Sequence, residues 1–515
     1  MIDIFNRKKV EILENRNYSL RRQINQLENQ CRQLQAQINS KEKELIDFQN
    51  THKSIVDDYE NKIKELQKFI DSKKSQEPPV PTKSDEIILT DEMQRVLDLV
   101  NNPTAKLIFV HGSAGTGKST LLKYICDNYT RDDFVLLAPT GIAALNIDGA
   151  TIHSFFQIPP TNIYPSDNAN VSNSVEEKLQ NINFIIIDEI SMVRADLFDK
   201  LNYNLQYARN NHEFFGGVKL LLIGDLYQLP PVLKKQDYSD YEKLGYKQDE
   251  TFFFYSNAIK NFINSKQKFH YVELTHIFRQ NDKEFINVLQ KCRLGKVNDN
   301  SLEYFQKRFV PITSNEIVNL VTTNAMADNK NTSEYQKLLD PNEILFNAKV
   351  SGIIPKDGNL PAPATITLKI GTQVIITANE SDYKNGTIGT VAAISKNGVS
   401  VKIEKENRTV FVTPYTWEYK EYVYDKTTDS FELTIKGTYT QIPLKYGWAI
   451  TIHKSQGLTL DSTAINFGRG TFCTGQGYVA VSRVRSVNGL YFLNNVRKAD
   501  FKADSNIDSF LKAIE

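Results

Sequence analysis

Over the first 70 residues, apolar positions alternate by three and four. Val10, Leu13, Asn17, Leu20, Ile24, Leu27, Cys31, Leu34 and Ile38 lead on to Leu45, Phe48, His52, Ile55 and Tyr59, with Lys41 as one charged interruption. Between Tyr59 and Ile63 the gap is four where three is due, a stutter, and the alternation then resumes through Leu66 and Ile70. This period predicts a long α-helical coiled coil over residues 1–72, about 90 Å if continuous at about 1.5 Å per residue. Asn17 at an a position favours a parallel dimer in register. A solvated single arm or a hairpin folded on itself carries the same pattern, because heptads do not name a partner. The polar, proline-bearing stretch 73–86, KKSQEPPVPTKSDE, reads as a linker.

From residue 87 the pattern changes. Short apolar runs recur as KLIFVHG, DFVLLAPT, NFIIIDE and VKLLLIGD, each ending in polar residues or glycine. Such runs predict parallel strands buried on both faces that deliver function at their carboxyl ends. Leu121, Leu122, Ile125 and Cys126 place an amphipathic helix between the first two. Near the C-terminus, YGWAITIHKSQGLTLD (446–461) runs from apolar Trp448, Ala449, Ile450 and Ile452 straight into His453, Lys454, Ser455, Gln456 and Gly457. With no carboxylate or cysteine close enough to complete a local catalytic site, that cluster must act on something supplied from elsewhere. Residues 365–440 alternate apolar and polar around an Asn385-Gly386 turn, which predicts β-hairpins.

Composition narrows the class. At 515 residues the chain exceeds one compact core, so several domains are expected, and 40% hydrophobic with 24% charged residues is ordinary for a globular protein. No apolar run approaches the roughly 18 residues of a membrane span. The N-terminus is too charged for a secretory leader. Cys31, Cys126, Cys292 and Cys473 are scattered, which fits a reducing compartment and offers no zinc site. A net charge of +1 excludes a globally basic nucleic-acid binder and confines any such site to a local groove.

The first run ends in Gly112-Ser-Ala-Gly-Thr-Gly117-Lys118-Ser119, a complete GxxxxGK[ST]. Its glycines let the backbone wrap a polyphosphate, Lys118 neutralises the outer phosphates and Ser119 ligates Mg²⁺. Asp188 at the end of FIIIDE suits the same metal, and Glu189 beside it is placed to deprotonate an attacking water. In GDLYQLPPV, the Gln228 amide either reports on a terminal phosphate or belongs to a turn set by Pro230 and Pro231.

Taken in order, Leu89–Gln94, GSAGTGKST, APTGIAA, GATIHSFF, IIIDEISMV, GDLYQLPPV, LTHIFRQ, TIHKSQGLTLD and GQGYVAVSRVRS resemble the Pif-one-like DNA helicases of the superfamily 1B group, over residues 87 to about 498. The heptad arm lies outside the resemblance. It implies an α/β fold with two RecA-like P-loop domains, the first at 87–265 and the second at 266–364 and 441–500. A small β-barrel would be inserted at 365–440, and 501–515 would be a C-terminal tail. At 157–182 the family places a strand-separating wedge, where the residues alone suggest a surface loop equally well.

The resemblance further implies ATP and Mg²⁺ as ligands, with Ser119 and Asp188 on the metal. Lys118, Asp188, Glu189, Gln228, Arg279 and Arg483 would be catalytic, and Gln94 would read the adenine. Gly112, Ser113, Ala114, Gly115, Thr116, Gly117, Thr120 and Gly457 would complete the nucleotide site. DNA would lie on Pro139, Thr140, Gly141, Thr151 and His153 of one domain and Thr323, Asn324, His453, Lys454, Ser455 and Gln456 of the other. The implied activity is 5′→3′ translocation on single-stranded DNA with unwinding of tailed duplex, in repair, recombination, replication or telomere maintenance. An ATP-gated DNA-binding protein that assembles through its arm is the other reading. Either works inside the cell: in the cytoplasm of a prokaryote or virus-infected host, or in a eukaryotic nucleus or mitochondrion.

Overall fold

The computed structural model describes residues 89–129, 134–158, 163–164, 173–280, 282–310, 317–354, 360–425, 427 and 430–515, together with scattered positions between 16 and 43. The chain divides into two compact units, Met1–Glu86 and Ile87–Glu515. In the first, the described positions are helical, and Leu20, Leu27 and Leu34, seven residues apart, are exposed. The rest of the heptad, its stutter and the linker lie outside the described residues.

In the second unit the four apolar runs become neighbouring strands of one parallel sheet. Its strands are β1 (Leu107–Gly112), β2 (Val135–Ala138), β3 (Ala150–Thr151), β4 (Phe184–Ile187), β5 (Lys219–Gly224) and β6 (Phe269–Leu274), in the order β3-β2-β4-β5-β1-β6. Side chains alternate between two cores. Leu107, Phe109, Ile185, Ile187, Leu220 and Leu222 enter one, while Ile108, Val110, Ile186, Leu221 and Ile223 enter the other. Each such side chain is worth about 1.5–3 kcal/mol when removed from water, which explains why the runs are apolar without interruption. The helix Lys118–Asn128 covers the second face with Leu121, Leu122 and Ile125. Strand β6 pairs with β1, so the first sheet continues past the expected boundary at 265.

A second parallel sheet holds Ala449–Thr451, Val318–Val321, Thr463–Asn466 and Leu490–Phe492, in that spatial order. The apolar opening before IHKSQG is therefore a strand, and it lies beside the one that ends at Val321. Between these neighbours the chain makes its large excursion. What is expected as one barrel over 365–440 divides, among the described residues, into separate sheets. Five antiparallel strands run in the open order Arg408–Val412, Gly398–Ile403, Ile388–Ser395, Gln373–Ile376 and Leu444–Tyr446. A long hairpin, Tyr415–Asp425 with Ser430–Gln441, pairs instead with Lys349–Gly352. Alternation specifies a pleated, half-buried strand but not its partner, so the division is not visible in the sequence.

The hairpin crosses to the first lobe. Tyr422 is buried in the first lobe's core, where its hydroxyl accepts the Leu136 N–H at 3.0 Å. The C-terminus returns there too. Residues Ser505–Ile514, expected as a tail, form a helix whose Ile507, Phe510, Leu511 and Ile514 fill the same core at helical spacing. Phe510 stacks on Phe254 with ring centroids 4.5 Å apart, and the Tyr227 hydroxyl donates to Asp508. Of the 157–182 insertion, Asn173–Asn181 is a helix and most of the remainder lies outside the described residues, so the wedge is not described. Among the described residues, no helix is long and apolar enough to cross a membrane.

Candidate active site

Strand β1 stops at Gly112 and the chain turns through residues 113–117 into the helix Lys118–Asn128. Gly115 and Gly117 take φ of +86° and +87°, a left-handed conformation that favours glycine. At Gly115 space matters as well, since an added Cβ would lie 2.5 Å from Arg279 Cβ. The Phe278 N–H donates to the Gly115 carbonyl at 2.8 Å, drawing the segment after β6 against the turn. No side chain caps the helix at Gly117, so its first amides face outward as an anion-binding end. Lys118 Nζ folds over the loop and donates to the carbonyls of Gly112 and Ser113 at 2.7 and 2.9 Å.

A cavity of about 370 Å³ opens on this turn. Ala114, Gly115, Gly117, Lys118, Ser119, Thr120, Glu189 and Gln228 line it from the first lobe. Across from them stand Phe278 and Arg279 from the segment after β6, with Gly457, Thr459, Arg483 and Arg485 from the second lobe. Three parts of the chain remote in sequence thus converge on one anion-sized cleft. The cations, the uncapped helix end and the glycine turn fit a polyphosphate, while Ser119 and Asp188 give the small oxygen set that Mg²⁺ takes alongside phosphate.

Electrostatics sharpen the site. Removal from water, then the adjacent Asp188 carboxylate, push the Glu189 carboxyl up to about 7. Burial likewise raises Asp188 and lowers Lys118. Glu189 has φ +50°, a strained value for a side-chain-bearing residue that costs about 1–3 kcal/mol, at the turn out of β4. Burial also works to raise Asp225, but Arg293 at 3.1 Å, His111 and Lys118 overcome it and hold the carboxyl well below its usual range.

The two lobes touch through polar contacts as well as across the cleft. The Tyr478 hydroxyl accepts the Ala114 N–H at 2.9 Å and donates to Asp225 at 3.3 Å. Gln456 Nε2 donates to Gln228 Oε1 at 3.4 Å. Arg483 is buried. It gives Nε to the Val479 carbonyl at 2.9 Å and Nη1 to the carbonyls of Ser455 and Leu458, both at 3.3 Å; burial, then Arg279, push it down to about 10. Arg279 Nη1 donates to the Ser482 carbonyl at 3.3 Å. A Cβ added at Gly475 would lie 2.1 Å from the Gln228 carbonyl, so glycine is what allows this approach of the lobes.

The unliganded Pif1 of a Bacteroides species has 35% sequence identity to this chain, covering 83% of it and 97% of the Bacteroides chain, with a TM-score of 0.72. The chain belongs to the PIF1-like helicase family. That family matches residues 88–303 directly. Bacteroides Pif1 bound to single-stranded DNA superimposes at a TM-score of 0.59, with 36% identity and the same coverage. The ATP-dependent DNA helicase PIF1 of Emericella nidulans is 32% identical over 451 residues, 75% of this chain and 58% of that protein. The chain thus spans about three fifths of the length of the first curated relatives it matches.

On this PIF1-like scaffold, the residues that the sequence marks for DNA fall into two groups. Pro139, Thr140, Thr151 and His153 line a second cavity of about 520 Å³, facing Glu418, Tyr419, Lys420 and Lys436 of the long hairpin. Thr140, Thr151 and Thr323 each cap a helix, accepting from Ala143, Ser154 and Met326 amides at 3.3, 3.0 and 3.3 Å. Their hydroxyl protons remain to be donated. Gly141 is the buried first residue of its helix. His153 Nε2 lies 2.7 Å from the Tyr164 hydroxyl, which gives the ring a structural partner. Thr323, Asn324 and Lys454 are exposed beside one another's strands, and His453 and Gln456 are half-buried.

Ser455 is a correction. It is fully buried and its Oγ donates to the Ile452 carbonyl at 2.8 Å, so it shapes the turn and cannot reach a strand. Gln94 lies outside the cavity lining, exposed and donating to Asp98 at 3.0 Å, while neighbouring Met93 packs under Gly117. Sequence reasoning missed Phe278, Gln280, Arg293, Tyr478 and Arg485. Three of these sit inside quoted motifs, HIFRQ and GQGYVAVSRVRS, where any of several positions qualifies. Arg293 has no local signal at all: it ends an amphipathic helix and reads as a solvated charge.

Proposed function

We propose that this chain is an ATP-dependent DNA helicase that moves 5′→3′ on single-stranded DNA and opens duplex ahead of it. The observation that carries this reading is the single cavity shared by Lys118, Ser119, Glu189 and Gln228 from one lobe and Arg279 and Arg483 from across the cleft. Related proteins named as ATP-dependent DNA helicases, and a Pif1 structure with single-stranded DNA, support the substrate. Mg²⁺ held by Ser119 and Asp188 supplies charge neutralisation at the terminal phosphates. Lys118 and the loop amides bind and orient the triphosphate, and Glu189 takes the proton of the attacking water. Arg279 and Arg483 neutralise charge that develops in the transition state, so hydrolysis depends on closure.

Closure reaches the DNA face through short connections. Arg483 holds the carbonyls of Ser455 and Leu458, which bracket the turn carrying Lys454 and Gln456, and Gln456 meets Gln228. A shift at the cleft therefore moves the gripping turn by direct contact. Two grips, one per lobe, that approach and separate with each nucleotide cycle make a motor. The long hairpin over Thr140, Thr151 and His153 is placed to cover a strand on the first lobe. The site of action is the cell interior, where DNA is.

A tailed-duplex assay tests the reading. Duplex with a 5′ single-stranded tail should be unwound with ATP, and duplex with a 3′ tail should not. DNA-stimulated hydrolysis without unwinding of either would replace the motor by an ATP-gated binding protein.

A pH profile tests the general base. A carboxyl raised to about 7 is protonated, and idle as a base, below that pH. The turnover number should therefore rise through about pH 7 and level off above it, and Glu189→Gln should remove that limb. A flat profile from about pH 6 to 8 would assign the base elsewhere.

A further inference from the structure

The loop Phe467–Gly475 carries an aromatic side chain that the nucleotide cleft does not use. Phe472 is 61% exposed, yet it is firmly mounted. Its ring lies parallel to the His453 imidazole, with centroids 5.7 Å apart and planes 9° apart. Its N–H donates to Gln476 Oε1 at 3.1 Å, and Gln476, fully buried, donates onward to the Thr322 carbonyl at 3.4 Å. Next to it, Thr471 is clamped by Oγ1 to the Asp500 carbonyl and by Lys502 to its own carbonyl, both at 3.0 Å. One face of the ring rests on His453, and the ring is otherwise largely open to solvent.

The position of this ring is informative. Thr322 immediately precedes Thr323 and Asn324 at the end of one strand of the second sheet, and His453 and Lys454 leave the end of the neighbouring strand. Phe472 is tied to both ends at once, through Gln476 to the first and through its ring to the second. Around it stand the exposed Thr323 hydroxyl and the exposed Lys454 ammonium, groups suited to phosphates. Burial lowers His453, so the layer beneath the ring is a neutral imidazole rather than a cation. A flat apolar surface between phosphate-binding groups matches the alternation of base and phosphate in a single strand, and every base has a face to stack.

We infer that Phe472 is a nucleobase-stacking residue of the second lobe, receiving one base of single-stranded DNA on its open face while Lys454 and Thr323 hold adjacent phosphates. This assignment rests on the single-stranded DNA reading above. It gives that lobe a contact that is independent of sequence and also insensitive to salt, which lysines alone cannot provide.

Binding of the full chain to a fluorescent oligothymidylate, measured by anisotropy over a range of salt, tests it. Phe472→Ala should weaken binding about 5- to 100-fold with the slope of log Kd against log salt unchanged. Phe472→Leu, which still covers His453 but offers no aromatic face, should be equally weak, and Phe472→Trp should restore affinity. Lys454→Ala should instead flatten the slope by about 0.7. One abasic residue walked along the oligonucleotide should find a register that weakens the wild-type protein and leaves Phe472→Ala unaffected. The assignment is overturned if Phe472→Ala or Phe472→Leu binds as tightly as wild type, or if the loss comes with a flatter slope. Wild-type protein that fails to retain oligothymidylate even at low salt would bring down the DNA reading itself, a different result from a wild type that binds and a variant that matches it.

Discussion

Arg279→Ala should slow DNA-stimulated ATP hydrolysis by about 10³-fold or more while leaving nucleotide retention close to that of the unaltered protein. The reason is where the guanidinium originates. Arg279 lies beyond β6, at the far wall of the cleft, with its backbone against Gly115 and its Nη1 on the Ser482 carbonyl. Lys118 and the loop amides supply ground-state binding from the near wall, so deleting a far-wall cation removes an interaction needed mainly when charge develops. Burial lowers Arg279, but an arginine remains charged, so its contribution is already oriented before reaction. Lysine should not rescue the loss, because its shorter point charge cannot bond Ser482 and a phosphate together. Steady-state hydrolysis with and without single-stranded DNA, paired with titration of a fluorescent nucleotide, separates the two effects. Hydrolysis within about fivefold of wild type would show that closure is not what the far lobe contributes.

Glu189→Gln should reduce turnover by about 10²- to 10⁴-fold, again with nucleotide bound. The substitution keeps length and shape and removes the basic lone pair, so the defect is chemical. It also removes an acid that the fold holds partly protonated. Because the folded-state value of about 7 lies above the ordinary carboxyl value of 4.5, Glu189 favours the folded protein fully only below the ordinary value, and that contribution is lost as pH rises through 7. The glutamine variant should therefore be at least as stable as wild type at about pH 8 by thermal unfolding. A variant that is both inactive and destabilised there would mean that the carboxylate supports structure, and the loss of turnover would no longer identify a base.

The sequence alone determined a good deal here, and for a physical reason: a parallel strand buried on both faces must be apolar throughout, and whatever it delivers must follow immediately at its end. KLIFVHG with the glycine turn, FIIIDE and LLLIGD are each complete statements of that kind, which is why Lys118, Asp188, Glu189 and Gln228 were legible from spacing and chemistry. The heptad was equally legible as a period and equally silent about a partner. Tertiary structure decided everything that depends on which segments meet. It brought Arg279 and Arg483 to Lys118, paired Arg293 with Asp225, sealed Ser455 inside its turn, set Phe472 on His453, divided the inserted strands into sheet and hairpin, and drew the last helix into the first core. None of these follows from neighbouring residues, because a cation, a serine or an aromatic reads identically in sequence whether it faces water, a carboxylate or another ring.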